Sequence, residues 1–221
     1  MKRLPIASMS EAYETIGGLS QTSKMPGRSL GLPAQRCKVG SRLRGIAGST
    51  CSDCYACKGQ YQFPVVKNAQ ERRYQALKSI RRWTEGMCFL LTHNAWKERE
   101  VFRWHDSGDV ANLSHLRAIC EVADRTPHVR HWLPTREVGY VNSLLDVRDV
   151  PSNLTIRISA PMIGQTLRLS PRWIQAGIVT SSVDSSSADS HACNAPKQNG
   201  ECRSCRACWS RNVADVTYKV H

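Results

Sequence analysis

Val101-Phe102-Arg103-Trp104-His105, followed at once by Asp106-Ser107-Gly108-Asp109, is the stretch whose reading decides the fold. A run rich in β-branched and aromatic residues halts at a short acidic turn with a glycine, as a buried strand does when it leaves its sheet. A helix is expected next, because Leu113, Leu116, Ile119, Cys120 and Ala123 fall on one face at helical spacing. The same grammar recurs downstream. A strand over 129–133 stops at Pro134-Thr135-Arg136-Glu137 and leads to a helical stretch near Val138–Leu145. A strand over Leu154–Ser159 stops at Ala160-Pro161, one over 177–182 runs into a serine-rich loop over 181–190, and 216–220 adds a last short strand. Strands alternating with helices require right-handed crossovers, so the chain is read as an α/β fold with a mostly parallel sheet.

Upstream of this pattern, residues 66–83 fit one amphipathic helix. Val66, Ala69, Ala76, Leu77, Ile80 and Trp83 face inward, while Lys67, Lys78, Arg81 and Arg82 form a basic outer face. Arg73 falls within the apolar arc, where snorkelling to solvent is the simpler expectation and contact with an internal acid or ligand the alternative. Gly86 is expected to end this helix and 87–98 to form the next, with Cys88 and Cys120 read as core. Nearer the start, residues 10–16 suit a short helix capped by Ser10 and ended by Gly17-Gly18. The glycine-rich, basic segment over 27–48 reads as loops and carries Cys37.

Two cysteine groups flank the alternating region. Cys51-Ser52-Asp53-Cys54-Tyr55-Ala56-Cys57 precedes it, with Cys37 as a further thiol; Cys193-x8-Cys202-x2-Cys205-x2-Cys208 follows it. Repeated Cys-x2-Cys spacing aims sulfurs at a common point. It suits a [4Fe-4S] cluster, one or two in number, with a zinc tetrahedron as the alternative. Either each group holds its own centre, or cysteines from both ends of the chain share one. His191 and His105 are candidate substitutes for a thiol, and Arg203 and Arg206 are placed either to hydrogen-bond cluster sulfurs or to face solvent. A cluster on three thiolates leaves one iron open to substrate or S-adenosylmethionine; one on four can carry electrons, hold the fold or sense oxidation.

Ligands of α/β folds sit beyond the carboxyl ends of the strands. Asp106, Ser107, Gly108, Asp109, Thr135, Arg136 and Glu137 are therefore expected on the edge that also carries the cysteines. Asp106, Asp109, Arg136 and Glu137 are the candidate catalytic residues, the acids to bind a cofactor amine or act as bases and Arg136 to grip an anion.

With 221 residues, 41% of them hydrophobic, the chain supports one domain over 1–221. No run approaches the apolar length of a membrane helix, so no membrane partner is expected. The apolar segment after Lys2 and Arg3 is too short for a signal peptide, which places the protein in the cytoplasm, where ten cysteines speak for metal rather than disulfides. A formal charge of +13 favours polyanions, with nucleic acid the candidate partner.

Cys54-Tyr55-Ala56, then Lys58-Gly59-x-Tyr61, then Ser107-Gly108-Asp109 and Thr135-Arg136 after successive strands, resemble the phage "gene product 88" domain family over 32–136. That resemblance implies a phage protein, in the host cytoplasm, and favours Cys37, Cys51 and Cys54 as ligands, whereas direct spacing favours Cys51, Cys54 and Cys57. The family is itself similar to radical S-adenosylmethionine proteins, which implies a partial TIM-barrel-like sheet with the cluster loop at its top. By the same likeness Ser107, Gly108, Asp109 and Thr135 would meet the cofactor. The chain departs from that pattern, with two residues in place of three between Cys51 and Cys54 and Ala56 where an aromatic stands.

Overall fold

The computed structural model describes residues 5–22, 25–93 and 100–220. Among them the repeating pattern becomes one sheet of seven parallel strands: β1 (Ser29–Leu30), β2 (Val101–Trp104), β3 (Arg130–Thr135), β4 (Leu154–Ser159), β5 (Val179–Val183), β6 (Ser190–Ala192) and β7 (Asp215–Tyr218). Their spatial order is β1-β2-β3-β4-β5-β7-β6. The first five follow chain order, as in the wall of a barrel, while β1 and β6 stand as the two edges and leave the sheet open. Because every neighbouring pair is parallel, all the strand ends that carry polar turns lie along one edge.

Helices α1 (Met9–Ile16), α3 (Pro64–Ala76), α4 (Ile80–Thr92), α5 (Leu113–Arg125) and α6 (Val138–Leu145) are joined by the short α2 (Lys38–Leu43) and α7 (Pro171–Gln175). Phe102, Trp104, Leu133, Ile156 and Ile158 alternate onto the face that shares a core with Trp83, Met87 and Leu90 of α4 and Leu116 and Ile119 of α5. Cys88 and Cys120 are buried in that core, as expected of small apolar side chains. The opposite face carries Arg103, Trp132, Thr155 and Arg157. It is covered by the connection from β6 to β7, whose Trp209 packs on Trp132 and donates from Nε1 to the Phe102 carbonyl at 2.9 Å. Both faces of the parallel sheet are thus covered, one by helices and one by a loop.

Several local expectations change. The helix expected over 66–83 is two helices, parted by a 3₁₀ turn at Leu77–Ser79. Gly86 lies inside α4 rather than ending it, because α1 packs there so closely that a Cβ would stand 2.9 Å from Ile16 Cγ2. The part of the next expected helix over 94–98 lies outside the described residues. Ser8, not Ser10, caps α1, accepting from Glu11 N at 3.2 Å. Arg73 does not snorkel: it is buried and donates to the Gly18 carbonyl at 3.0 Å and Ser20 Oγ at 2.8 Å. The loop segments also hold β1, α2, α7 and β6, all too short to show a period.

Candidate functional site

The first cysteine group follows β1 and is tied to three strand ends. Tyr55 donates its hydroxyl to the Asp106 carbonyl at 2.5 Å, beyond β2. Thr50 N donates to the Pro161 carbonyl at 2.9 Å, beyond β4, and Arg136, beyond β3, donates from Nη2 to Thr50 Oγ1 at 2.7 Å. Cys37 immediately precedes α2, whose first amides, Lys38 N and Val39 N, donate to Glu137 Oε1 at 3.1 and 2.9 Å. A carboxylate at a helix start satisfies orphan donors and opposes the helix dipole. The same side chain thereby fixes Cys37 against the end of β3.

Cys37 and Cys51 flank one backbone position: a Cβ on Gly40 would lie 3.5 Å from Cys51 Sγ and 3.8 Å from Cys37 Sγ. Burial raises the Cys37 thiol far above its ordinary range, reinforced by Asp109, Cys54 and Cys51. Burial also raises Cys51, with Arg136 pulling the other way, and raises Cys57, reinforced by Cys54.

The polar turns meet this loop as expected from strand order, but several of their groups are already committed. Asp109 accepts from Thr135 Oγ1 at 2.6 Å, Val110 N at 2.7 Å and Arg136 N at 2.8 Å, so its carboxylate staples the end of β2 to the end of β3. Burial pushes it up to about 6, against the pull of those three hydrogen bonds. Glu137 caps α2. Ser107 Oγ donates to the Leu32 carbonyl at 3.0 Å and accepts from Gln70 Nε2 at 2.8 Å. Gly108 has φ +73, and a Cβ there would stand 2.6 Å from the Leu32 carbonyl oxygen, so only glycine fits. Two groups keep capacity: Asp106 Oδ1 and Arg136 Nε are buried without a hydrogen-bond partner among the described residues.

The second group begins where β6 ends. Cys193, Cys202, Cys205 and Cys208 line one cavity of about 30 Å³ together with His191 and Trp209. Cys205 Sγ lies 3.7 Å from His191 Nε2, and Cys208 Sγ lies 3.2 Å from the Tyr218 hydroxyl. Burial pushes the Cys208 thiol up to about 11, with Tyr218, Arg157 and Arg103 opposing it. Burial likewise raises Cys202, reinforced by Cys193 and Cys205. Arg206 turns back onto the carbonyls of Arg203 and Cys205, and Arg203 is exposed. The loop is pinned by Arg157, whose guanidinium, fully buried, donates to the carbonyls of Ala207, Cys208, Ser210 and Val213 and of Thr180 on β5.

The cavity lined by Cys193, Cys202, Cys205 and Cys208 includes no cysteine of the first group, which is tied instead to the ends of β2, β3 and β4. Among the described residues no three His, Cys, Asp or Glu side chains form a ready metal-ion group. His105, buried at φ 57, stacks edge-on against His115 at 5.3 Å and away from the cysteines' hydrogen-bonding contacts. Arg157, Arg103, Tyr55 and Tyr218 escaped the reading of the sequence. A single charged residue, Arg157, in the strand Leu154–Ser159 was the available signal, because a buried strand admits one only where carbonyls or anions receive it.

No helix among the described residues is long and apolar enough to cross a membrane. No curated protein and no solved structure matches the chain. A family model described as Gene product 88 matches residues 7–211, which takes in both cysteine groups and every strand end described above except that of β7, and the chain therefore belongs to this phage protein family.

Proposed function

We propose that the protein is an iron–sulfur protein that uses a [4Fe-4S] cluster on its first cysteine group to act on a nucleic acid or nucleotide at the carboxyl edge of the sheet. The observation that carries this is the gathering of Cys37, Cys51, Cys54 and Cys57 over the ends of β2, β3 and β4, beside Arg136 and Asp106. The donor set suits the group: four soft thiols, with Cys51 facing a cationic side chain that favours its thiolate. Cys51 and Cys54 would hold the cluster with Cys37, Cys57 or both. Bound there on three thiolates, it supplies an open iron for S-adenosylmethionine or substrate. Arg136 retains a donor for a phosphate or carboxylate, and Asp106 an acceptor for an ammonium group. Asp109, Thr135 and Glu137 hold the frame by joining the strand ends and fixing α2. Lys67, Lys78 and Arg81, exposed on α3, the following turn and α4, supply the basic surface for a polyanion.

Metal and sulfide analysis with an absorption spectrum, on protein purified without oxygen, tests the reading. Iron with sulfide and a broad band near roughly 400 nm, lost in Cys51→Ala with Cys54→Ala, is the expected result. A colourless zinc protein overturns the redox role and leaves a structural, nucleic-acid-binding module. S-adenosylmethionine that stays intact under dithionite removes that cosubstrate. Oligonucleotide binding is expected to weaken steeply with salt, and binding indifferent to salt removes the polyanion.

One observation favours a second reading, electron transfer or redox sensing. Asp109 and Glu137 accept from backbone amides and are not free to act as bases, and each cysteine group has enough thiols to saturate a cluster. A reversible reduction with no effect of added S-adenosylmethionine on the spectrum distinguishes it.

A further inference from the structure

We propose that Arg103 and Arg157 are the counter-ions of an anionic metal–thiolate centre formed by Cys193, Cys202, Cys205 and Cys208. The proposal deepens the reading above, and rests on the second cysteine group holding metal, but on neither the first cluster nor any activity.

Both guanidiniums lie on the sheet face away from the helices. Arg157 is fully buried on β4. Arg103, on β2, stacks over the Trp132 ring with 4.6 Å from Cζ to the ring centroid and donates to the Met25 sulfur at 3.3 Å, while its Nε has no partner. Neither forms a salt bridge among the described residues. Tyr55 hydrogen-bonds Arg103 and Asp106 acts on it without pairing, while Tyr218, Cys208 and Asp215 act on Arg157 without pairing. The Asp215 carboxylate is occupied by the hydroxyls of Thr180, Ser182 and Ser190 at 2.7, 2.6 and 2.7 Å. Two buried cations with no paired anion are costly unless a charge nearby offsets them.

The thiols are that charge. Arg157 Nε donates to the Cys208 carbonyl at 3.1 Å, and Arg103 stacks on Trp132 and reaches Met25, both of which belong to the same small apolar cluster as Trp209, Cys208 and Tyr218. Four thiolates around a divalent ion, or around a [4Fe-4S] core of like charge, leave about two negative charges, which two guanidiniums match. Arg157 adds a positioning role, since its bonds to the Ala207 and Cys208 carbonyls hold the loop that carries Cys205 and Cys208.

The test uses the full chain with Cys37→Ser, Cys51→Ser and Cys54→Ser, so that metal on the second group is read alone. Metal per chain and its rate of release to a chelator are measured, as purified, with and without Arg103→Gln. Release at least tenfold faster in Arg103→Gln, largely restored by Arg103→Lys, with unchanged circular dichroism, is the expected result. Equal release rates overturn the counter-ion role. A background chain without metal overturns the reading of the second group itself, whatever the first group binds. Arg157→Lys is expected to release metal faster than the background but slower than Arg157→Met; should neither Arg157 variant fold, the Arg103 pair still decides.

Discussion

Acid should unfold this protein through its buried histidines. His115 and His131 are fully buried, and burial lowers both to about 3 from the ordinary 6.5; His105 is held well below it as well, by burial, His115 and Arg103. His115 Nδ1 accepts from Ala111 N at 3.3 Å and its ring lies edge-on to Trp83, while His131 Nε2 meets Thr126 Oγ1 at 2.9 Å. Among the described residues neither site has an acid to receive an imidazolium. The folded histidines therefore stay neutral while the unfolded chain takes up protons near pH 6.5, so stability is intact above that pH and lost as pH falls toward the folded values. At about pH 5.5 each of the two costs about 1.4 kcal/mol relative to pH 8, near 3 kcal/mol together, with His105 adding to the loss. Asp109 opposes them. Its raised value of about 6 makes it stabilising as pH falls through that range, by about 1 kcal/mol at the same pH. A net loss of about 2 kcal/mol or more is a large share of a typical 5–15 kcal/mol. Urea unfolding of metal-free protein, followed by tryptophan fluorescence from pH 8 to 5, measures it. His115→Phe should lower the slope of stability against pH by about one proton, near 1.4 kcal/mol per pH unit below the ordinary histidine value. An unchanged slope in that variant, or no loss of stability between pH 8 and 5.5, would refute the reasoning.

Other perturbations follow from single contacts. Gly86→Val should cost about 1–3 kcal/mol in urea titrations by forcing α1 off α4, while Gly139→Val, at a glycine whose added Cβ meets nothing within 4 Å, should not show that clash. Asp215→Asn replaces one acceptor oxygen by an amide that cannot receive a hydroxyl proton, and should lower stability by about 1–3 kcal/mol with β5, β6 and β7 exchanging amide hydrogens faster. Glu137→Gln keeps the cap of α2 but removes its charge, for a loss of about 0.5–1 kcal/mol, and if the first group holds the proposed cluster, its iron content should fall more than global stability does.

The strand–turn–helix pattern was legible because β2, β3 and β4 are short runs rich in β-branched and aromatic residues that stop at polar turns, with apolar side chains recurring at every second position in β2 and β4. The two-residue β1 and the three-residue β6 have no period to read, and what identifies them is the neighbour each pairs with. Gly86 misled for a related reason. Its missing side chain serves a helix approaching from residues 12–16, which no local window contains. At the site, the residue types at the strand ends were legible and their employment was not. Asp109 and Glu137 look like bases in a list of residues, yet each accepts backbone amides presented by a neighbouring turn or helix. Such partners lie 27 to 99 positions away and are visible only after folding.

The placement of the second cysteine group follows from the sheet's own needs. A parallel sheet must cover both faces, and the helices here crowd onto one, against Phe102, Trp104 and Ile156. The other face is left to the connection between β6 and β7, which must in any case travel from the carboxyl edge back to the amino edge because those strands are parallel. That connection is polar and short of apolar side chains; Trp209 is its buried anchor, and Arg157 holds its backbone by carbonyls alone. A loop so poor in hydrophobic contact gains little from burial. If the four thiols close on one metal centre as proposed, that centre would supply the cross-link that the loop's composition lacks, in the way a structural metal substitutes for a core in small domains. The two cysteine groups thus differ in position, the first at the carboxyl edge of the sheet and the second over the face that has no helices, and on the proposal above that position would fit the first for a ligand and the second for a cross-link.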